Sequence, residues 1–387
     1  MKILVITATI GQGHNAVAHS VAEGFRARKI RCEILDMYGY ISPGLKKIVS
    51  QSYLLSINSV VHARAIGAKY YESMEKNYKP DGDYSLTRFA NWNIAREIKK
   101  YLDDYQPDAI ICTQVYCAHV VNLLKEKRWT DALAVGIITD FTVQAHWEGT
   151  WRFDYIVTAA KELNSQLIPK GITENKILPT GIPISPKFKK RVDKRHARDL
   201  LCLNPDKKTL LIMGGSMGYG NLDKGLVQID QLSTDFQGIV VCGNNKRMKT
   251  RLRQLELKKR FDIYGYSSNI SLMMDAADLI ITKPGGISLS ESLAKRLPII
   301  MNNPIPGMED HNAAFMEEYG LAVLVTKKFP VTMAVSKLME DDALRAQMSE
   351  NMKHFSHPDS TADLCEFIIQ EVEKRRVQKE AEQKNTP

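Results

Sequence analysis

Short apolar runs separated by amphipathic stretches recur from the first residues to about residue 327. In the first half, KILVITAT (2–9), CEILDM (32–37), AIICTQ (109–114), AVGIITD (134–140) and DYIVTA (154–159) read as strands, being brief and rich in β-branched side chains. Ala18, Val21, Ala22 and Phe25 follow the first run at helical spacing, so strand, GQGH turn and helix succeed one another within the first thirty residues. A second series consists of TLLIMGG (209–215), GIVVCG (238–243), DIYGY (262–266), LIITKPG (279–285), PIIMNN (298–303) and AVLVTK (322–327). The alternation predicts parallel α/β architecture. The basic, proline-bearing stretch around 179–205 divides it into two doubly wound, Rossmann-like domains. Ligands bind beyond the carboxyl ends of such strands, so two domains facing a cleft would hold two substrates. The tail is predicted helical. Ser360 followed by Asp363 resembles a capping box, Leu364, Phe367, Ile368 and Val372 form an apolar stripe, and the polar residues from 377 on are expected to fray. The expected division is 1–182 for an N-terminal domain, 183–335 for a C-terminal domain, and 336–387 for C-terminal helices with a polar tail.

Composition narrows the class. The chain has 387 residues, 44% hydrophobic and 25% charged, which suits a two-domain globular protein. The opening MKILVITAT is too short to span a bilayer, lacks a small-residue cleavage site and reads as a buried strand; no later apolar run reaches 18 residues. Six cysteines without C-x-x-C spacing lie mostly in apolar runs and read as free buried thiols of a reducing cytoplasm. The formal charge of +9 is concentrated: residues 187–198 (KFKKRVDKRHAR) hold seven Lys/Arg against one Asp, and 246–260 (KRMKTRLRQLELKKR) is nearly as basic. Neither stretch interleaves aromatics as a stacking platform for single strands would, so nucleic acid is not expected as a partner. An anionic membrane surface or simple solvation remain as explanations.

Four glycine-bearing segments follow strands. In IITKPGGISLSESLAKRLPIIM (280–301) a strand runs into Pro284, Gly285 and Gly286, then a helix expected from about Ser288. Such a turn lets backbone N–H groups approach an anion at a helix N-terminus. Glu291, one turn in, could accept ribose hydroxyls or merely complement the helix dipole. MGGSMGYGN (213–221) is neither a P-loop nor the G-x-G-x-x-G fingerprint, yet Gly215, Ser216 and Met217 could present donors to an anion. In NPIPGMEDHN (303–312), Glu309 and Asn312 lie three apart at a helix start and could reach a polyhydroxylated ligand from one face. In GQGHN (11–15), His14 would stand at the mouth of the first domain beside Gly13, and imidazole suits removal of a proton from a hydroxyl. Asp140, at the end of AVGIITD, could orient a base or cap the next helix. Asp81-Gly82-Asp83 lies in a Lys/Pro-rich loop and reads as a turn, and the histidines and cysteines show no zinc spacing.

Together these segments and their order resemble the family of monogalactosyldiacylglycerol synthases and bacterial processive diacylglycerol β-glucosyltransferases. The likeness runs over about residues 1–335: GQGH at the first turn, ITDFT followed by HW, LPTGIPISPKF between domains, and TKPGGISLSE with NPIPGMEDHN. The resemblance implies a GT-B fold, a UDP-sugar substrate bound by the C-terminal domain, and inversion at the anomeric carbon with no cofactor and no obligatory metal. By position it implies phosphate contacts at Gly285, Gly286, Ile287 and Ser288, ribose at Glu291, sugar at Glu309 and Asn312, and uracil at the backbone of Tyr266. His14, aided by Asp140, matches the base. Met308 departs from the glutamine that these families often carry, and GGSMG differs from the loop of plant members, so glucose, though favoured, competes with galactose as the donor sugar.

The implied acceptor is the 3-hydroxyl of 1,2-diacylglycerol. Residues 44–66 place Lys46, Lys47 and Arg64 around Leu54, Leu55, Ile57, Val60 and Val61, a pattern that fits a helix lying on an anionic membrane or an ordinary buried helix pair. The resemblance favours the membrane and implies a cytoplasmic enzyme peripheral on the inner face of the cell membrane. Transfer to another lipid-linked or soluble acceptor, and a non-catalytic nucleotide-sugar sensor, are the alternatives.

Overall fold

The computed structural model describes residues 1–8, 12–44, 46–49, 51, 85–214 and 222–384. The chain forms two compact units. The first comprises residues 1–186 with 359–387, and the second residues 187–358. The segment from 336 onwards, grouped in the sequence as one tail, is shared: helices Val331–Glu340 and Asp342–Phe355 lie in the second unit, and helix Ser360–Lys384 in the first.

The first unit carries a parallel six-stranded sheet of β1 (Lys2–Thr7), β2 (Arg31–Asp36), β3 (Ala109–Cys112), β4 (Leu133–Ile137), β5 (Tyr155–Val157) and β6 (Ile177–Leu178), in the order β2-β1-β3-β4-β5-β6. The second has β7 (Thr209–Met213), β8 (Gln237–Val241), β9 (Phe261–Tyr264), β10 (Leu279–Thr282), β11 (Ile299–Met301) and β12 (Ala322–Leu324), ordered β12-β11-β10-β7-β8-β9, again all parallel. Central strands such as AIIC and LAVGI are wholly buried, as parallel strands covered on both faces must be. Each strand announced by a run stops two or three residues before the end of that run, except β2, which ends one residue early. The two-residue β6 was too short to show as a run.

Strand order reverses between β1 and β3 in the first unit and between β7 and β10 in the second. These are the topological switch points, where flanking helices leave on opposite faces and the carboxyl ends open a crevice. Helix Gln12–Ala27 buries Ala18, Val21, Ala22 and Phe25 completely, as their spacing predicted, and Val17 with them. Against it packs the C-terminal helix through Leu364, Cys365 and Ile368, while Phe367 meets Tyr155 edge-on at 4.7 Å. The Ser360 hydroxyl is also buried there, donating to Ile182 O and accepting from Ile184 N, so it ties the helix to the chain entering the second unit. All six cysteines are free, five of them buried. Among the described residues no helix is long and apolar enough to cross a membrane.

One device recurs at the amino ends of the strands. Asp108, just ahead of β3, accepts Lys2 N at 2.7 Å; Asp154, ahead of β5, accepts Ala134 N at 2.7 Å; Asp278, ahead of β10, accepts Thr209 N at 2.7 Å. Each also meets a guanidinium, from Arg376, Arg375 and Arg198 respectively. Burial works against the Asp154 charge, but the Ala134 amide, Lys125 and Arg375 outweigh it and hold its carboxyl below the usual carboxylate range. That contribution is present above the unfolded-state value and disappears as pH falls through the lower folded one. Asp154→Ala strands the Lys125 ammonium, 15% exposed, and is expected to lower the unfolding free energy by about 3 kcal/mol in urea titration at pH 7.

Candidate active site

In the first unit the chemistry collects at the β1–β3 switch point. His14 sits in the first turn of helix Gln12–Ala27, and its Nδ1 lies 2.8 Å from the Thr113 carbonyl at the end of β3 and 3.1 Å from Thr139 Oγ1 beyond β4. A carbonyl can only accept, so Nδ1 carries the hydrogen and Nε2 presents a lone pair. Burial lowers the His14 pKa, while the charge of Asp140 and the Thr113 carbonyl oppose that shift. The ring is thus a neutral base with a carboxylate nearby to stabilise it once protonated. A hydroxyl chain supports the same spot: Thr113 Oγ1 donates to Thr7 Oγ1, which donates to Asn15 Oδ1. Thr113 and Thr139 were not singled out from the sequence, because a threonine at a strand end carries no distinctive pattern.

The loop after β4 is seated by Trp147, which packs on Gly136. A β-carbon there would come within 2.7 Å of the indole, so only glycine permits this approach. Asp140 lies in that loop and accepts from Gln144 Nε2 at 3.4 Å. His146, from the same loop, lies beside His119 of helix Val115–Glu126. Burial, then the neighbouring His146, push the His119 pKa down to about 4. Gly13 is exposed beside His14. Lys46 is ion-paired with Asp36 at 2.8 Å, whereas Lys47 is exposed; Leu54, Leu55 and Arg64 lie outside the described residues, as does Asp81-Gly82-Asp83.

In the second unit the β7–β10 switch point opens a pocket of about 550 Å³, counting its mouth, lined by Met213, Gly214, Thr282, Lys283 and Asn302 among others. Gly215, Ser216 and Met217, expected beside it, lie outside the described residues. After β10 the chain turns at Pro284 and enters helix Gly286–Lys295, two residues earlier than the expected start at Ser288. Gly285 is its N-cap and no side chain caps it, which leaves the first N–H groups to a ligand or solvent. The turn is pinned from below. Asn312, fully buried, donates through Nδ2 to Pro284 O at 2.9 Å, and Lys283 Nζ contacts Glu309 Oε1 at 2.9 Å. Glu309 Oε2 also accepts Ile305 N at 2.8 Å. The two residues to which the resemblance gives a sugar role therefore brace the glycine turn in this structure. Lys283, inside the motif yet not singled out, is the partner of Glu309.

Pro284 is buried, and Ile287 and Ser288 are half-buried on the first turn of the helix. The Ser288 carbonyl accepts from Ser292 Oγ. Tyr266 lies beyond the end of β9, 78% exposed. Glu291 is half-buried with its carboxyl pushed up to about 8 by desolvation. Its folded value exceeds the unfolded one, so between about 4.5 and 8 the fold keeps a proton that the unfolded chain releases, and stability falls as pH rises through that window. Glu291→Gln is expected to raise the melting temperature, by an increment that grows from pH 5 to pH 8 and is constant above it; calorimetry across that range checks the prediction.

Comparison with known proteins agrees with this architecture. Residues 14–184 match the family described as monogalactosyldiacylglycerol (MGDG) synthase, and residues 202–355 match glycosyl transferases group 1. The chain is 30% identical over 376 residues to the processive diacylglycerol beta-glucosyltransferase of Bacillus cereus (strain AH187), covering 96% of this chain and 94% of the relative. It is likewise 30% identical over 376 residues to the protein so described in Bacillus mycoides (strain KBAB4), with the same coverage. Among solved structures, MurG of Acinetobacter baumannii superposes with a TM-score of 0.62 at 14% identity, covering 96% of this chain and all of that one. S. aureus MnaA, solved with UDP, superposes with a TM-score of 0.61 at 13% identity, over 93% and 94% of the two chains. At such identities these two structures establish the fold, which is of the GT-B class.

Proposed function

This chain belongs to the family of monogalactosyldiacylglycerol synthases and processive diacylglycerol β-glucosyltransferases and is a glycosyltransferase, and on that premise we propose that it moves a hexose, glucose in preference to galactose, from a UDP-sugar to the 3-hydroxyl of 1,2-diacylglycerol with inversion, forming a β-glycosyl glycerolipid. The observation that carries the reading is the imidazole of His14, whose Nδ1 is committed to the Thr113 carbonyl and whose Nε2 is therefore available as a base. In the proposed reaction Nε2 takes the proton of the acceptor hydroxyl. The oxygen then bonds to the anomeric carbon as the bond to the diphosphate oxygen breaks, and UDP leaves with that electron pair. The Asp140 charge stabilises the imidazolium, and the uncapped N–H groups at the start of helix Gly286–Lys295 receive the diphosphate charge.

In this reading Gly285, Gly286, Ile287 and Ser288 contact phosphate, with Gly215, Ser216 and Met217 supplying further donors. The backbone at Tyr266 reads the uracil, and Glu291 takes the ribose hydroxyls. Glu291 must ionise to accept two hydroxyl protons, so donor binding releases a proton at neutral pH. Glu309 and Asn312 act on the sugar, either directly or by holding the glycine turn. No cofactor and no metal enter the scheme.

The full chain incubated with radiolabelled UDP-glucose or UDP-galactose and diacylglycerol micelles is expected to yield labelled lipid, with glucose the better donor, and to keep at least half its rate in excess EDTA. His14→Ala is expected to lower turnover by at least 100-fold while UDP still binds. The absence of labelled lipid from both donors, or full turnover by His14→Ala, refutes the proposal.

We place the enzyme peripherally on the inner face of the cell membrane, held by the basic charge around residues 44–66, with no nucleic-acid partner. Lys46 already serves Asp36, so the exposed Lys47 contributes more to the membrane. Lys47→Gln is expected to weaken co-sedimentation with vesicles containing phosphatidylglycerol about fivefold at low salt, and Lys46→Gln to weaken it less.

A further inference from the structure

Two of the groups that act on His14 belong to a loop that has already left the sheet. Pairing of β4 with β5 ends at Ile137 and Val157, and Thr139 and Asp140 lie beyond that point. Thr139 Oγ1 is 3.1 Å from His14 Nδ1, and the Asp140 charge opposes the effect of burial on the ring. Strand pairing does not set their position, so contacts from neighbouring segments must. One such contact comes from Gln166, in the short helix Asn164–Leu167 between β5 and β6, which is seated by the buried Leu163 and Leu167. Its Oε1 accepts the Val143 N–H at 2.8 Å and the Thr142 hydroxyl at 3.4 Å. Val143 is buried, where an unmet N–H is costly. Gln144, the next residue, precedes the 3₁₀ turn Ala145–Thr150 without capping it; its side chain turns back and donates through Nε2 to Asp140 Oδ2 at 3.4 Å. A path of contacts therefore runs from Gln166 to Val143 and, through the adjoining Gln144, to Asp140. The later part of the loop has its own fastenings, Trp147 on Gly136 and the Lys170–Glu148 ion pair at 2.7 Å. Those seat the turn Ala145–Thr150, whereas Gln166 acts on the part that carries Thr139 and Asp140.

We propose that Gln166 is a positioning residue for the transfer: by accepting the Val143 amide it holds residues 139–144 so that Thr139 and Asp140 stay beside His14. The inference rests on the reading of His14 as the base. Of the elements around the ring, β3 leads to the neutral Thr113 carbonyl, and the loop after β4 brings the Thr139 hydroxyl and the charged Asp140. Release of that loop leaves Nδ1 on Thr113 but removes Thr139 and the carboxylate. Turnover then falls, because the ring is less well oriented and its imidazolium form less well stabilised. A nearby carboxylate favours the charged imidazole, so its withdrawal also lowers the pH at which His14 takes up a proton. His14 acts only when neutral, and the acid limb of the kcat profile therefore moves to lower pH.

The test measures kcat and KM of the full chain with radiolabelled UDP-glucose and diacylglycerol micelles, over about pH 5–9. Gln166→Met keeps the length of the side chain but removes the acceptor. Its kcat is expected to fall about tenfold and its acid limb to move down by about half a pH unit, with KM for UDP-glucose within about twofold of the parent. Gln166→Glu keeps an acceptor for the amide and should restore most of kcat, with an acid limb no lower than that of the parent. Lys170→Gln breaks the other fastening and should leave kcat and the limb unchanged. Should Gln166→Met not fold, Gln144→Met breaks the same path at Asp140 and is expected to move the limb in the same direction. Parental kcat and an unmoved limb in whichever of these two folds, a loss that Gln166→Glu does not relieve, or the same shift in Lys170→Gln overturns the inference while leaving the proposed function standing. A parent enzyme that labels no lipid from either UDP-sugar overturns the proposed function, and the inference with it.

Discussion

A carboxylate at the amino end of a parallel strand, bound to an amide at the start of a neighbour, sets the register on which the rest of this protein depends. Parallel strands have no tight turn to align them, and each arrives from a distant helix, so something local must fix where one starts relative to the next. Asp108 does this between β3 and β1, Asp154 between β5 and β4, and Asp278 between β10 and β7. Each also holds an arginine, a charge-assisted contact that compensates the carboxylate in its partly buried position. In two of the three cases that arginine comes from the C-terminal helix, so the last element of the chain fastens the amino ends of the first sheet. With those ends registered, the carboxyl ends finish at defined levels.

The groups proposed to act lie at those carboxyl ends, and two are unfavourable for stability where they stand. His14 is desolvated, and Glu291 is driven toward its neutral form. Their surroundings hold them nonetheless. Thr113 and Thr139 orient the imidazole, and Asn312 with the Lys283–Glu309 pair braces the turn ahead of Glu291. Buried polar groups of this kind are costly until a ligand satisfies them, which is how binding free energy and folding free energy come to be linked in one site.

Much of the architecture is legible in the pattern of apolar residues. Eleven of the twelve strands coincide with runs that stand out along the chain, because strands covered on both faces leave little room for polar residues. The overruns at the carboxyl ends have a physical cause. Thr139 and Asp140 continue an apolar run in sequence but lie beyond the last paired residues of β4 and β5, and Thr113, whose N–H still reaches Ile6 O, turns its carbonyl to His14. Glycine turns and a histidine after a strand likewise mark where a site should be, since close approach to an anion and proton transfer each demand specific residue types.

What the sequence determined alone was the class of fold, the positions of the strands, the buried face of the first helix and the segments around which function gathers, all of them consequences of local periodicity and backbone freedom. Which side chains meet was decided only by tertiary structure. No spacing along the chain shows that Thr113 will hold His14 across 99 residues, that Asn312 will support Pro284 across 28, or that residues beyond 359 belong to the first unit. These contacts depend on strand order, and strand order comes from packing the helices over the sheet, a choice that hydrophobic patterning permits but does not specify.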